Sequence, residues 1–264
     1  HSIGIDRNEV RVKLDQMKAK VTLSKGKGIP QKIDKNIYLP SPKVNLIPNN
    51  NTNDDPIVIL IDLETTGLKY ENNRIIQLAA KVLGSDSSEV FNAYVKPVGD
   101  TVSPLIANLT GITQEFLNLN GIPFKNAYNL FKEWIQSLSG ANNRSIVMMA
   151  HNGKKFDYDF LTVEIARHNC LQNNSKNWSQ DIGIHSYIDS LLILRDQDAW
   201  APQVLLPSKY SQSKLYEHLL KRNLENGHNA IYDVLALEEI MMHPHISHSW
   251  RKIANKKQFQ IHEN

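Results

Sequence analysis

The sequence predicts an α/β domain in which a β-sheet is flanked by helices, and three observations support this fold class. Residues 57–61 form an unbroken aliphatic run, which is typical of a strand buried on both faces. Two further strand candidates follow at 74–84 and 88–96, and the short segment between them indicates a hairpin. From residue 145 onward strand and helix patterns alternate, as they do in sheets that carry helices on their faces.

The helices are predicted from capping residues and from apolar residues at helical spacing. Ser103 and Pro104 have the order of an N-cap and a first helical residue, and Gly111 closes that segment. Apolar residues recur at helical spacing over 124–138, and Gly140 ends the helix. The other expected elements are a strand at 145–150, a helix at 156–169, a strand at 184–189, and helices at 190–197, 212–223 and 229–242.

The composition is that of a globular protein and excludes several functional classes. Of the 264 residues, 41% are hydrophobic and 22% are charged, which supplies enough apolar surface for a packed core. The single cysteine, Cys170, excludes a disulfide framework and a cysteine-rich zinc module, and it favours a reducing, intracellular compartment. No uncharged apolar run approaches the roughly 20 residues that cross a bilayer, so we expect no membrane partner.

The net charge of +3 is unevenly distributed along the chain. Residues 1–55 contain ten Lys and Arg against six Asp and Glu, and the remainder is slightly acidic. We therefore expect a basic N-terminal extension at 1–55, a folded domain at 56–243 and a C-terminal tail at 244–264. The extension either contacts a phosphate backbone, or is a solvated linker or the remainder of a targeting region.

Acidic residues at the ends of predicted elements are the strongest functional signal. Asp62 and Glu64 directly follow the aliphatic run, and residues two apart on a strand share a face with Cα atoms ~7 Å apart. Two carboxylates at this spacing repel each other unless a cation neutralises them. Carboxylate ligands favour hard cations such as Mg²⁺ or Mn²⁺ over zinc. The sequence therefore predicts a divalent-metal site at the end of the first strand.

Two later segments supply further polar candidates. The segment HNGKKFD places Asp157 after another apolar strand, and HNAIYD places His228 and Asp233 at the beginning of a late helix. Within one helix, a spacing of five residues separates two side chains by about 140°. His228 and Asp233 can therefore converge if His228 lies in the preceding loop and Asp233 in the first turns.

The ordered set Asp62, Glu64, Asp157, His228 and Asp233 closely resembles the DEDDh 3′–5′ exonucleases, which include proofreading subunits and three-prime repair exonucleases. The resemblance covers about residues 57–242 and rests on four motifs in order, DLETTGL, LTGIT, HNGKKFD and HNAIYD. Sister enzymes place a tyrosine where this chain has Asn229, so the histidine one residue earlier favours the DEDDh subclass. The implied fold is ribonuclease-H-like, an α/β mixed sheet flanked by helices.

The resemblance also implies a reaction, a cofactor and a substrate. It implies two-metal hydrolysis of phosphodiester bonds in single-stranded DNA or frayed 3′ ends, with release of nucleoside 5′-monophosphates. His228 would be the general base, because an imidazole exchanges protons near neutral pH. Two Mg²⁺ ions per site, for which Mn²⁺ substitutes, would be held by Asp62, Glu64, Asp157 and Asp233.

The resemblance further assigns substrate contacts. Candidate contacts to the terminal nucleotides are Leu63, Thr65, Leu68, Ile112, Asn152 and Phe156. For Phe156 the alternative is a position in the core, and for Asn152 it is capping of the following helix.

The sequence leaves several functional alternatives open. An RNA 3′-end trimming exoribonuclease would use the same site, since sugar choice depends on contacts to the 2′ position. A non-catalytic nucleic-acid-binding or polymerase-accessory subunit is the alternative outside the enzymes, and the presence of all five polar residues favours the enzyme. Because the first residue is His1 rather than Met, the compartment stays open between nucleus or cytoplasm and a mitochondrion or other DNA-containing organelle.

Overall fold

A computed structural model describes residues 56–85, 90–139, 144–171, 175, 177–246 and 250–257 of the chain. The strands are β1 (Ile57–Thr65), β2 (Ile75–Val82), β3 (Val90–Tyr94), β4 (Ile146–Ala150) and β5 (Ser186–Asp189). They form one sheet with the order β3-β2-β1-β4-β5. β2 pairs antiparallel with β1 and β3, whereas β4 pairs parallel with β1 and β5. The predicted α/β class with a mixed sheet and its β2–β3 hairpin are confirmed, while the predicted basic extension at 1–55 lies outside the described residues.

The central strand β1 separates two hydrophobic cores. Ile59 and Ile61 pack into the core on one face, and Val58 and Leu60 pack into the core on the other. All four side chains are at most 5% exposed. A strand covered on both faces needs apolar residues at every position, which explains the continuous aliphatic run in the sequence.

Helices cover both faces of the sheet in the described part of the chain. They are α1 (Pro104–Thr110), α2 (Gln114–Asn120), α3 (Phe124–Ser139), α4 (Asp157–Arg167), α5 (Trp178–Ile182), α6 (Ser190–Leu194), α7 (Gln212–Leu220), α8 (Ala230–Met241) and α9 (Trp250–Lys257), with 3₁₀ helices at Gly153–Lys155 and Gln197–Ala199. α3 packs its aromatic face into the Ile59 core, and α7 and α8 pack into the Leu60 core. No helix among the described residues has the length and apolar character needed to cross a membrane.

The ends of α1 are formed by the residues that predicted them. The Ser103 hydroxyl accepts a hydrogen bond from the Ile106 N–H at 3.3 Å, and Pro104 is the first helical residue. Gly111 has a φ of +73° and closes the helix in the left-handed conformation. Glycine adopts this conformation without steric cost, so the Ser-Pro and glycine signals both correspond to real helix ends.

Three short helices were not predicted. α2 and α5 contain 7 and 5 residues, which is too few for a helical pattern to repeat. α9 lies within the segment predicted as a C-terminal tail, but its Trp250 is 2% exposed and packs into the Leu60 core. The packed region therefore extends beyond residue 243 as far as α9, while the functional division of the chain into extension, domain and tail stays a prediction.

Candidate active site

The first two acids lie near the carboxyl end of β1. Asp62 and Glu64 pair with Ala79 and Gln77 of β2, and they occupy alternate positions on one face of the strand. Asp62 is half-buried and Glu64 is 8% exposed. The register of the sheet shifts immediately after Glu64, so the carboxylates stand where regular pairing ends. This is the position that the sequence predicted for a metal site.

Helix α8 brings Asp233 to the same place. Asp233 lies in the first turn of α8, after the N-cap residue Asn229. One carboxylate oxygen from each of Asp62, Glu64 and Asp233 lies within 4.8 Å of the other two. We call these three residues the acid cluster. About 170 positions of the sequence separate Asp233 from Asp62 and Glu64, so the cluster forms only through folding.

Polar contacts to β2 anchor both ends of α8. At the amino end the buried Gln77 side chain accepts the Ala230 N–H at 3.2 Å and donates to the Asn229 side chain at 3.3 Å. Toward the carboxyl end, the buried Lys81 ammonium pairs with Glu238 at 2.9 Å. Because β2 also pairs with the strand that carries Asp62, these contacts fix α8 relative to the rest of the acid cluster.

His228 lies in the loop before α8, which is the position from which it can converge with Asp233. Its backbone has a φ of +65°, and its N–H donates to Asp233 Oδ2 at 2.7 Å. The residue is exposed. A left-handed backbone at a residue other than glycine is uncommon and persists where the surrounding structure requires it. The charge of His228 lowers the pKa of Asp233, so the imidazole lies close enough to this acid to interact with it electrostatically.

Asp157 approaches the cluster from the opposite side of β1. It is the first residue of α4, is 3% exposed, and its carboxylate accepts a hydrogen bond from the Leu63 backbone between Asp62 and Glu64. Its ligand atoms fall outside the 4.8 Å group. Its charge nevertheless raises the pKa values of Asp62 and Glu64, so it belongs to the same electrostatic site.

Burial raises the pKa values of all four acids, and repulsion by neighbouring acids adds to the shift at Asp62, Glu64 and Asp157. Burial raises the pKa of Asp62 well above its usual range, and the charges of Asp233, Asp157 and Glu64 raise it further. Burial and the charges of Asp233 and Asp157 raise the pKa of Glu64 to about 8. Burial also raises the pKa of Asp157 to about 7, and that of Asp233 to about 6. At neutral pH these acids therefore need a positive charge to be ionised together.

The donor set fits a hard divalent cation. The acid cluster offers carboxylate oxygens and no nitrogen or sulfur ligand, which matches the preference of Mg²⁺ and Mn²⁺. A cation in this position would turn the repulsion among the carboxylates into attraction, because each acid then faces an opposite charge. Cation binding would therefore offset the free-energy cost of burying these acids.

We expect Mg²⁺ to stabilise the protein more at about pH 8 than at about pH 5.5. The pKa values of these acids are higher in the folded protein than in the unfolded chain, where they are about 4. The contribution of these acids to the stability of the metal-free protein is therefore greatest below about pH 4. As the pH rises toward 8, the unfolded chain releases these protons first and the metal-free folded state loses stability. Calorimetric Tm values at both pH values, with Mg²⁺ or with NaCl of equal ionic strength, measure this. An equal Mg²⁺-induced shift at the two pH values would contradict it.

Three candidate substrate residues follow from the DLETTGL motif. Leu63 and Thr65 are 4% and 6% exposed, so they offer mainly backbone atoms to a ligand. The Thr65 hydroxyl donates to the Gly67 carbonyl at 2.6 Å and closes the turn after β1. Leu68 follows this turn and is 82% exposed. Of the three, Leu68 therefore has the largest apolar surface available to a base.

Ile112 of the LTGIT motif occupies a small third core. It is 3% exposed and packs with Ile76, Tyr94 and Leu117. Its side chain has little free surface, and base contact at this position stays a prediction. Leu109 of the same motif is 47% exposed, and the sequence analysis did not single it out.

Asn152 and Phe156 flank the 3₁₀ helix Gly153–Lys155. Asn152 has a φ of +62° and its side chain makes no capping hydrogen bond, so the capping alternative is not observed. Its backbone N–H donates to the Asp189 carboxylate at 3.0 Å. Phe156 is half-buried against the Ile59 core, with its ring centroid 4.8 Å from that of Phe160. Phe156 therefore packs in part on the core and keeps some exposed surface.

Two supporting residues were missed by the sequence analysis. Gln212 of α7 donates to the Asp233 carbonyl at 2.8 Å and to its Oδ1 at 3.2 Å. Asp189 is buried and accepts the N–H groups of Asn152, Lys154 and Leu191. Neither has a local pattern that separates it from an ordinary polar residue, because each acts through contacts made only in the fold.

Comparison with known sequences identifies relatives of the chain. The RNase_T family, described as an exonuclease, matches residues 59–241. The Arabidopsis thaliana protein described as exonuclease DPD1, chloroplastic/mitochondrial, is 30% identical over 186 residues, which are 69% of this chain and 54% of that protein. The chain thus spans about half the length of this relative.

Solved structures share the fold. The nuclease domain of 3′hExo, described as a DEDDh family member bound to rAMP, has a TM-score of 0.56 at 16% identity, covering 80% of this chain and 98% of that domain. A zinc-bound complex of E. coli ExoI with single-stranded DNA has a TM-score of 0.52 at 24% identity, covering 71% of this chain and 40% of that one. At these identities the likeness concerns the fold alone.

Proposed function

The chain belongs to the RNase_T exonuclease family, and on that premise we propose that it is a metal-dependent 3′–5′ exonuclease acting on DNA. It would hydrolyse phosphodiester bonds of single-stranded DNA or frayed 3′ ends and release nucleoside 5′-monophosphates. The observation that carries this proposal is the convergence of Asp62, Glu64 and Asp233 within 4.8 Å, with His228 bonded to Asp233 through its backbone.

The acids are proposed to hold two Mg²⁺ ions, for which Mn²⁺ substitutes. Asp62, Glu64 and Asp233 would hold one ion, and Asp62 and Asp157 would hold the other. When bound, such cations neutralise the charge that develops on the phosphate and leaving-group oxygens. The support for this assignment is the all-carboxylate donor set and the raised pKa values of its members.

His228 is proposed as the general base. Its imidazole would take a proton from the attacking water, whose oxygen would bond to the phosphorus. The bond between the phosphorus and the 3′-oxygen would break, and the 3′-oxygen would take up a proton from solvent. The 3′-oxygen stays with the shortened strand, and the terminal nucleotide leaves with a 5′-phosphate. Because His228 is exposed, it can return the proton to solvent before the next turnover. The hydrogen bond from its backbone N–H to Asp233 would hold the base close to the acids that bind the cations.

The terminal nucleotides are proposed to contact the surface beside β1 and the HNGKKFD segment. Leu68 and the exposed part of Phe156 offer apolar surface for bases, in the stacking mode that serves single strands. Leu63 and Thr65 would contribute backbone groups, and Asn152 its amide. Ile112 would act through the shape of the wall it supports, since its side chain is buried.

We expect a 5′-labelled single-stranded DNA oligonucleotide to shorten to a ladder in Mg²⁺, because nucleotides are removed one at a time from the 3′ end. The 3′-labelled strand should release labelled mononucleotide from the start. Matched duplex DNA should be degraded more slowly, and matched RNA more slowly than DNA. Denaturing gels of all four substrates measure these rates, with a chelator and the Asp62→Asn protein as controls.

The same panel separates the alternatives. Faster cleavage of RNA would assign the RNA-trimming function instead. Fragments of intermediate length from the 3′-labelled strand would indicate internal cutting or removal from the 5′ end, and binding without cleavage would assign the non-catalytic role. Either of the last two results overturns the proposed exonuclease.

The cellular site of action is also a proposal. The Arabidopsis relative is named for chloroplasts and mitochondria, which contain DNA, and this supports action in such an organelle. The chain spans about half of the length of that relative, so this proposal concerns only the compartment and includes none of the relative's partners or further substrates.

A further inference from the structure

Hydrogen bonds from the His228 backbone, the Asn229 backbone and the Gln212 side chain fix the carboxylate of Asp233. Its Oδ2 accepts the His228 backbone N–H at 2.7 Å, and its Oδ1 accepts the Gln212 side-chain amide at 3.2 Å. The same Gln212 nitrogen donates to the Asp233 backbone carbonyl at 2.8 Å. The two oxygens of a carboxylate together offer about four lone-pair sites, so these hydrogen bonds leave acceptor capacity for a cation. The rotation of the Asp233 side chain is therefore set from two sides.

Gln212 reaches Asp233 because α7 packs along α8. Gln212 is the first residue of α7, and Leu215 and Leu219 of the same helix are buried in the core that also contains Val234 of α8. Gln212 itself is half-buried at the edge of this contact. The packing of α7 against α8 therefore holds the Gln212 amide in place. Gln212 lies outside the four sequence motifs that identify the family.

The residues just before Gln212 are tied to the element that leads to Asp157. His151 Nε2 lies 2.9 Å from the Tyr210 carbonyl oxygen. A carbonyl only accepts hydrogen bonds, so Nε2 carries the proton and Nδ1 can accept the Ser190 hydroxyl at 3.0 Å. His151 directly follows β4 and begins the HNGKKFD segment. Residues 210–212, which we call the bridging segment, therefore contact both the Asp157 side and the Asp233 side of the site.

We propose that Gln212 is a positioning residue that orients Asp233 for cation binding, and that the bridging segment couples this orientation to the HNGKKFD segment through His151. The inference rests on the proposed metal-dependent function. Hydrogen bonds to a ligating carboxylate fix its direction before the cation arrives, which lowers the cost of ordering the site. Gln212 touches neither the reacting atoms nor the cation, so its effect appears first in metal affinity.

Gln212→Met is expected to weaken Mn²⁺ binding by about tenfold, the lower end of the range for residues that support metal ligands. Methionine has a similar length but no N–H, so packing is kept and the two donated bonds are lost. Mn²⁺ binding is measured by electron paramagnetic resonance or calorimetry in the absence of DNA. The Mn²⁺ concentration for half-maximal cleavage should rise by the same factor, and saturating Mn²⁺ should restore most of the rate.

Lys214→Met is the matched control, because Lys214 lies on the same helix but is exposed and pairs with Glu217. Its Mn²⁺ affinity should equal that of the wild type. Equal Mn²⁺ affinity of Gln212→Met and wild type, with both proteins folded by their Tm values, overturns the inference and leaves the exonuclease in place. Absence of Mn²⁺ binding and cleavage in the wild type overturns the proposed function and this inference together.

A double-variant cycle tests the bridging segment itself. His151→Leu removes the N–H that holds the Tyr210 carbonyl, so Gln212 should be less well placed in this background. Gln212→Met should then weaken Mn²⁺ binding by a smaller factor than it does in the wild type, which is the signature of coupled residues. Identical factors in both backgrounds would show that the segment does not couple the two sides.

Discussion

Asp62→Asn is expected to abolish DNA hydrolysis, with a loss in kcat on the order of 10³-fold or more, beyond the loss typical of supporting residues. Asp62 is close to the other acids, and its pKa is raised by burial and by the charges of Asp233, Asp157 and Glu64. Asparagine keeps the shape of the side chain but removes one of the carboxylates proposed to hold the cations. Initial rates on 5′-labelled single-stranded DNA measure the loss, and calorimetric titration with Mn²⁺ measures the accompanying loss of metal binding.

The same substitution should raise the Tm of the metal-free protein at about pH 8, because it removes a like charge from the acid cluster. A catalytic loss caused by misfolding would instead lower the Tm. Asp198→Asn is the control, since Asp198 is an exposed acid in the 3₁₀ helix Gln197–Ala199, outside the cluster. Its activity should equal that of the wild type. Residual cleavage by Asp62→Asn within tenfold of the wild type would exclude Asp62 from the proposed role.

The sheet could be predicted because its central strand has a pattern of apolar residues that is visible in a short stretch of sequence. β1 needs apolar residues on both faces, so the run at 57–61 marks it without any knowledge of its neighbours. The acids at its end were predicted to meet because residues two apart share a face. Helix geometry indicated in the same way that His228 and Asp233 could converge if His228 lay in the preceding loop, and His228 does lie there.

The supporting contacts could not be predicted because they join residues that are distant in sequence. Gln77 and Gln212 are ordinary amides until the fold places them against the first turn of α8. The burial of Ile112 depends on Ile76 and Tyr94, which a motif does not reveal. Motifs therefore identify the residues that carry charge, whereas the residues that orient them emerge only from packing.

His228→Asn is expected to lower kcat by about 10² to 10⁴-fold, the usual contribution of a general base, while Mn²⁺ affinity changes little. The contact between His228 and Asp233 is made by the backbone N–H, which asparagine retains. Asparagine also tolerates the left-handed backbone, with its φ of +65°, better than alanine does. The substitution therefore removes the proton acceptor and keeps the acid cluster intact. Single-turnover rates at saturating Mg²⁺ and Mn²⁺ titrations separate the two effects.

His185→Asn is the matched control for this substitution. His185 is exposed but immediately precedes β5, at the end of the sheet opposite to the carboxyl end of β1, because the parallel strands run in one direction. Its rate should equal that of the wild type. If His228→Asn also turns over at the wild-type rate, His228 is not the base. If it loses Mn²⁺ binding in proportion to its rate, its role is to hold Asp233. A large loss of rate with unchanged Mn²⁺ affinity is the outcome expected of a proton-accepting imidazole.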